Sequence, residues 1–456
     1  MPNPAPPSLK DAPWLKRPET ARIFAALAAP GAETRAVGGA VRDSLLGRPV
    51  KEVDFATTAL PQQVMTLAAK AGLKAVPTGI EHGTVTIVAD GVPFEVTTLR
   101  RDVETFGRHA TVAFTEDWAE DARRRDFTLN ALYATSDGTL FDPLGGYDDV
   151  LAGRVRFIGD AEARIKEDYL RILRFFRFNA YYGNGPFDPD GLRASVALRG
   201  GMAQLSAERV AGEVRRILVA PQAMRAVEAL FDSGLLTDIL GGVPRLQRLR
   251  RLVANEDALR REPDAMTRLA ALSVFVSEDA GRLSARLHLS NAEQAVLALG
   301  AGDHDDSFLP EEAAAKRLLY RLGPRDYAAA ALIAFADSGA APNDKSWRGA
   351  ATLAERWQAP VFPLKGNDVM TLCGVEGPAL GALLKTLEAE WVREGFAAAK
   401  DELLERAANL SRRSSTQGRY GSLRRQERPA PTRSRSVHRG RAWFRPRSQH
   451  RCQEMR

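Results

Sequence analysis

Cysteine is nearly missing from this chain of 456 residues: Cys373 and Cys452 stand far apart, without ligand spacing. That excludes a disulfide-stapled scaffold and a thiolate zinc site, and it fits a reducing cytoplasm. No apolar run approaches the 18 residues of a membrane helix, so no membrane contact is expected. The segment Met1 to Lys10 is proline-rich and lacks an apolar stretch, so it does not read as a signal peptide. Lysine is missing from residues 411–456, which hold fourteen Arg and two Glu. That segment carries +12, and subtracting it from the net +7 leaves −5 for residues 1–410. A nucleic-acid argument from overall charge would therefore rest on the tail alone.

What the chain does have is a sizeable apolar fraction, 45%, enough for more than one domain. Residues 18–29 read as a helix. Thr84–Val88 alternates as a strand, Ala89-Asp90-Gly91 reads as a hairpin turn, and Val92–Leu99 as the return strand. Residues 100–117 are polar and glycine-containing, and are expected to form a mobile loop. Ala119–Ala134 is expected to be helical, and Asp142–Gly146 a turn. From about residue 160 to 410 the periodicity is helical. Ala161–Asn179 reads as one helix, followed by Ala207–Leu218, Pro221–Ser233, six shorter stretches between 264 and 357, and finally Gly381–Asn409. The Arg-, Ser- and Pro-rich tail after 410 is expected to be disordered. Two origins fit it: a basic extension, or GC-rich DNA read in a shifted frame.

Three constellations carry chemistry. In Val37–Asp43, Gly38 and Gly39 let backbone N–H groups approach an anion, and Arg42 follows as a triphosphate ligand would. Glu52 and Asp54 are two apart, so on a strand both carboxylates face one side, while Val53 and Phe55 face the core. Paired carboxylates beside phosphate-binding glycines suit Mg²⁺ bridging to a nucleotide. A plain glycine turn followed by an amphipathic strand has the same pattern. Glu95, on the return strand, is either a third carboxylate orienting an attacking hydroxyl or a solvated strand residue.

In Arg123–Asn130, Asp126 and Asn130 are four apart and on a helix would share a face. Such a pair can hydrogen-bond a ribose while Arg125 reaches phosphate; a solvated arginine face is the bland alternative. In Glu167–Phe178, Asp168 and Arg171 lie three apart, as an intrahelical ion pair would. They also match a base-selection device. Cytosine and adenine each offer an exocyclic amine beside a ring-nitrogen acceptor, which an Asp and an Arg complement. Uracil and guanine reverse the pattern and leave buried polar groups unpaired, a strong penalty.

Taken in order, these segments resemble the class II tRNA nucleotidyltransferases, or CCA-adding enzymes, a family shared with bacterial poly(A) polymerases within the polymerase-beta-like superfamily. The resemblance spans about residues 20–410 and rests on Val37–Asp43, Lys51–Ala59, His82–Thr86, Phe94–Glu104, Arg123–Ala134, Asp142–Gly159 and Glu167–Phe178. It implies an α+β nucleotidyltransferase head followed by an all-α neck, body and tail. The expected divisions are an N-terminal extension and helix over 1–30, a catalytic head over 31–158, and a neck with a nucleotide-templating helix over 159–235. A body over 236–357, a tRNA-binding tail over 358–410 and the Arg-rich segment 411–456 complete them.

The resemblance further implies addition of CMP and AMP to the tRNA 3′ end from CTP and ATP, with pyrophosphate release. Gly39 and Arg42 would bind triphosphate, and Glu52 and Asp54 Mg²⁺. Arg125 and Asp126 belong to the nucleotide site. Asp168 and Arg171 act as a protein template, with Arg174 and Arg177 nearby. The turn at Asp142–Gly146, leading to Arg156, resembles an element that reshapes the pocket between C and A addition. Asp102–His109 resembles a mobile loop needed for A addition, and Phe362–Asp368 with Gly377–Gly381 resembles a tRNA-contacting tail. One departure stands out: Glu52 occupies a position that is usually Asp. Poly(A) addition, addition of C or A alone, and a catalytically dead RNA-binding homologue are the rival readings.

Overall fold

A computed structural model of the chain describes residues 8–106, 109–302 and 310–423, with the backbone alone at 102–106, 109–111 and 413–423. The chain divides into two compact units, residues 1–359 and 360–456.

The first unit opens with α1 (Pro18–Leu27), whose proline at N1 suits a helix start. Then β1 (Thr34–Val37) leads into α2 (Gly39–Leu45), β2 (Asp54–Thr57) and α3 (Pro61–Lys70). Next come β3 (Lys74–Gly79), β4 (Thr84–Ala89) and β5 (Val92–Thr98). Asp90 and Gly91, both at positive φ (52° and 82°), close the β4–β5 hairpin as the sequence predicts. After β6 (Arg100–Phe106), β7 (His109–Phe114) and α4 (Trp118–Arg123), two short strands follow, β8 (Tyr133–Ala134) and β9 (Leu140–Phe141).

The sheet runs β3-β4-β5-β2-β1-β8-β9. Among the described residues only β2 and β5 pair in parallel, Phe55 beside Val96. Phe55, Val85, Ile87 and Val96 are buried on the core face, beneath α1 and α3.

Three expectations fail in this region. Residues 100–117 are not a loop: β6 and β7 pair as an antiparallel ribbon, with Gly107 and Arg108 outside the described residues. The helix expected over Ala119–Ala134 stops at Arg123. Phe127 turns extended (φ −124°, ψ 146°), pairs with Phe157 and buries its ring against Phe157 and Phe178, so tertiary burial overrides local helix propensity. Glu52 does not share a strand with Asp54, because β2 begins at Asp54.

Helices then take over: α5 (Gly146–Ala152), α6 (Ala161–Glu167), α7 (Leu170–Tyr182), α8 (Pro189–Ala197) and α9 (Ala207–Leu218). The single helix expected over Ala161–Asn179 breaks at Asp168 (φ −155°, ψ 107°), which ends α6 and precedes α7. Further helices, among them Ala223–Asp232, Leu246–Leu259 and Ala265–Ser273, continue to Leu353–Arg356. A long stretch, Glu312–Ser338, is interrupted where Gly323 (φ 75°) precedes Pro324, which cannot continue an α-helical ladder.

The second unit contains Gly366–Cys373, Gly377–Arg393 and Lys400–Leu423, organised around Trp391 and its ring contacts with Phe362 and Phe396. The expected helix to Asn409 is thus two helices. The second continues to Leu423, which corrects the expectation of disorder from 411; residues 424–456 lie outside the described residues. Among the described residues no helix is long and apolar enough to cross a membrane.

Candidate active site

The ends of β1, β2 and β5, the Arg124–Asn130 segment, and α7 and α9 enclose a cavity of about 590 Å³. Of the residues singled out in the sequence, Gly38, Gly39, Arg42, Asp54, Glu95, Arg125, Asp126, Asn130, Asp168, Arg171 and Arg174 all line it. Glu52 and Arg177 do not.

At one wall Gly38 takes φ 71° and ψ −115° between β1 and α2, a conformation that favours glycine. Its N–H donates to Leu132 O at 3.0 Å, so this amide serves the fold. Arg42 is buried and heavily engaged. It donates through Nη1 to Asn130 Oδ1 (2.6 Å), through Nη2 to the Tyr182 hydroxyl (2.6 Å) and through Nε to Asp43 (3.0 Å). It is therefore a bracket between α2, the turn at Asn130 and the end of α7, as well as part of the cavity wall.

Asp54 and Glu95 come together because parallel pairing brings the start of β2 beside β5. Both side chains open onto the cavity. Asp54 is exposed to the cavity, yet the protein around it counts against its charge: desolvation first, then the charges of Glu95 and Glu52, push its pKa up to about 6 against the pull of Arg125. Glu52 thus acts on Asp54 electrostatically from the segment before the strand. Crowded negative charge of this kind suits a cation. Among the described residues no group of three or more His, Cys, Asp or Glu side chains forms a ready metal cage. A hard ion that keeps waters and shares substrate phosphates needs only one or two carboxylates, so the donor set fits such an ion.

Asp121, outside the cavity lining, is fully buried and accepts from Arg124 Nε (2.7 Å), Arg125 Nη2 (3.1 Å) and the Tyr133 hydroxyl (2.8 Å). Burial alone would raise its pKa; Arg125, Arg124 and Tyr133 outweigh that and hold it at about 2. Burial likewise opposes the charge of Arg125, but Tyr133 and Asp121 together raise its pKa. Asp126 and Asn130, without a shared helix, still meet: Asn130 Nδ2 donates to Asp126 Oδ1 at 3.0 Å. Arg174 binds the other oxygen of Asp126. Burial of Asp126 is outweighed by Arg174 and Asn130, which leave its pKa lowered.

Asp168 and Arg171 do not pair with each other in the manner of a surface salt bridge. Asp168 accepts from Leu170 N–H (3.1 Å) and from Arg209 Nη2 (2.6 Å). Arg171 donates to Arg164 O (2.6 Å) and to Glu167. Arg177 turns toward α9, where its Nε lies 2.6 Å from Glu213. Asp121, Tyr182 and Arg209 were missed by sequence reasoning. Asp121 carried a signal, lying three and four residues before Arg124 and Arg125 on a helix; Tyr182 and Arg209 come from distant segments and carried none.

Two family models match. Residues 34–156 match the Poly A polymerase head domain, and residues 187–247 the "probable RNA and SrmB-binding site of polymerase A". The mitochondrial CCA tRNA nucleotidyltransferase 1 of Mus musculus is 36% identical over 384 residues, covering 82% of this chain and 86% of that protein. A CCA-adding enzyme of Geobacillus thermodenitrificans is 40% identical over 226 residues, or 49% and 55% of the two chains. The crystal structure of the Bacillus stearothermophilus CCA-adding enzyme in complex with CTP superimposes with a TM-score of 0.69 at 28% identity, over 88% of this chain and all of that one. The chain belongs to the CCA tRNA nucleotidyltransferase family. Use of a divalent metal goes with that family, and the carboxylates at the cavity fit one.

Proposed function

We propose that this chain adds CMP and AMP to the tRNA 3′ acceptor end from CTP and ATP, choosing the base without a nucleic-acid template. The observation that carries this is the cavity itself, which has Asp54 and Glu95 at one side and Asp168 and Arg171 on another wall. Residues 31–158 then act as catalytic head, 159–235 as templating neck, 236–357 as body and 358–410 as tRNA-binding tail.

The nucleotide's triphosphate lies along Arg125, Arg124 and Arg42, whose charges offset its own and the charge that develops on the leaving pyrophosphate. Asn130 and Asp126 hold the ribose. Asp168 accepts from the base amine and Arg171 donates to the ring nitrogen. The tRNA 3′-hydroxyl loses its proton to solvent and its oxygen attacks the α-phosphorus, the bond from that phosphorus to the bridging oxygen breaks, and pyrophosphate leaves with its electron pair. Glu95 orients the attacking hydroxyl. Asp54 and Glu52 would hold a divalent ion, Mg²⁺ on this reading, which supplies hydroxyl activation and charge neutralisation when bound. The cytoplasm is the compartment assigned, supported by the scarcity of cysteine.

Incorporation into a tRNA lacking its 3′ end, with each nucleoside triphosphate supplied alone and then CTP with ATP, tests the reading. Two C followed by one A is expected. A run of A identifies a poly(A) polymerase, C or A alone a divided activity, and no incorporation a binding protein.

A further inference from the structure

Asp168 has two oxygens and three claimants. Oδ1 accepts the Leu170 amide at 3.1 Å, which fixes the carboxylate at the start of α7. Oδ2 is left for Arg209, for Arg171 or for a base amine. Asp168 stands just before α7 and Arg171 in its first turn, close enough in sequence for opposite charges to pair. Here they do not: Arg209, reaching over from α9, takes Oδ2 at 2.6 Å, and Arg171 turns to Glu167 and the Arg164 carbonyl. Arg209 also lines the cavity, and its side chain and that of Asp168 are only 24% and 20% exposed, so the pair is sheltered from competing water.

We infer that Arg209 is a positioning residue for base selection, holding the Asp168 carboxylate apart from Arg171 so that both side chains stay open to the nucleotide. The inference rests on the base-reading assignment of Asp168 and Arg171 made above. A carboxylate oxygen has lone pairs to spare, so Oδ2 keeps Arg209 while it accepts a base amine. Without Arg209 two cations of the same wall remain: Arg174, whose guanidinium Asp126 already holds, and Arg171. Closure of Asp168 on Arg171 neutralises both halves of the template together: the amine of C or A loses its acceptor, and the ring nitrogen loses its donor. It also removes the unpaired acceptor that excludes the carbonyl of U or G.

Steady-state kcat/KM for all four nucleotides on one tRNA primer tests this in Arg209→Ala, Arg209→Lys, Asp168→Ala and the double variant Asp168→Ala/Arg209→Ala. In Arg209→Ala, CTP and ATP are expected to fall about ten- to a hundredfold, as for loss of hydrogen bonds to charged groups. UTP and GTP should fall less, so that exclusion narrows at least tenfold. Arg209→Lys, which keeps one donor and the charge, should restore most of the exclusion. In the Asp168→Ala background, loss of Arg209 should leave base preference unchanged, because there is no carboxylate left to hold.

Equal losses for all four nucleotides would reduce Arg209 to a structural brace and overturn the inference. So would relaxed exclusion in Asp168→Ala with intact exclusion in Arg209→Ala, a result that leaves the base-reading assignment standing. Intact exclusion in Asp168→Ala sinks that assignment itself, and the role of Arg209 with it. Should Arg209→Ala fold poorly by thermal denaturation, Arg209→Met keeps the aliphatic stem and gives the same comparison.

Discussion

Arg174 donates both Nε and Nη2 to a single oxygen of Asp126, at 2.7 and 2.5 Å, and so ties α7 to the segment that carries Asp126 and Asn130. Asp126 is 9% exposed and keeps only Asn130 and its neighbour's amide if Arg174 is lost. Arg174→Ala is expected to destabilise the fold by about 1–3 kcal/mol, the cost of leaving a buried acceptor short of a charged partner. It should also lower kcat/KM for CTP and ATP together. Urea denaturation and single-nucleotide kinetics check the two halves. Arg174→Lys should recover only part of either, because an ammonium cannot reproduce two N–H groups fixed on one plane.

The carboxyl of Asp54, raised to about 6, sets a pH dependence with a definite sign. A divalent ion binds the ionised form, so affinity for Mg²⁺ should strengthen as pH rises toward about 6 and level off above it. For the metal-free protein the linkage runs the other way. A raised carboxyl pKa gives stability that is complete below the unfolded value near 3.8 and is lost as pH rises through about 6. Asp54→Asn should therefore make the metal-free protein more stable at pH 8 than wild type while abolishing nucleotide incorporation. Calorimetric metal titration and melting curves at pH 5 and pH 8 measure both. A flat metal affinity across that range would refute the assignment.

Asp121 touches no substrate on the proposed reading, yet it holds Arg124 and Arg125 toward the cavity. Asp121→Asn preserves shape and removes the charge. KM for CTP and ATP should rise roughly five- to thirtyfold, corresponding to about 1–2 kcal/mol. Base preference should stay as it was, since the base-reading wall is untouched. A change in preference without a change in KM would contradict this division of labour.

Residues 424–456 carry eleven Arg and two Glu, a net +9. Truncation after Leu423, which preserves the last described helix, should leave C and A incorporation intact. It should weaken salt-sensitive, sequence-independent RNA binding. Filter binding to an unrelated RNA at two salt concentrations, beside incorporation assays, tests it. Loss of incorporation would make the segment part of the enzyme.

Much of the site was legible because local spacing and strand parity carry it. Glu95 sits on a strand whose hairpin turn is written in Asp90 and Gly91, and its side chain reaches the cavity as alternation requires. The break at Asp168 was not legible: its flanks are helical in pattern, and what interrupts them includes an ion pair from α9, forty-one residues further along the chain. The extended Phe127 has the same origin, since its ring is claimed by Phe157 and Phe178 from later segments. Arg42 shows the opposite failing. Its place in the cavity wall was readable, but nothing nearby in sequence announces that Asn130 and Tyr182 already hold its guanidinium. Periodicity reports which face is buried; it does not report which distant side chain is waiting there.

The parallel register of β2 and β5, with Phe55 beside Val96, makes the reacting centre sensitive to chain length at a remote place. Strand β5 is aligned on its other edge by β4, through a connection of only Asp90 and Gly91. Side chains alternate faces with a period of two, so a slip of one residue would turn Glu95 toward the core and Phe94 toward the cavity. That two-residue connection therefore works as a ruler for a carboxylate it never touches. A single residue inserted there should disable catalysis even where the remaining fold survives, so natural length variation at this hairpin should come in steps that preserve alternation.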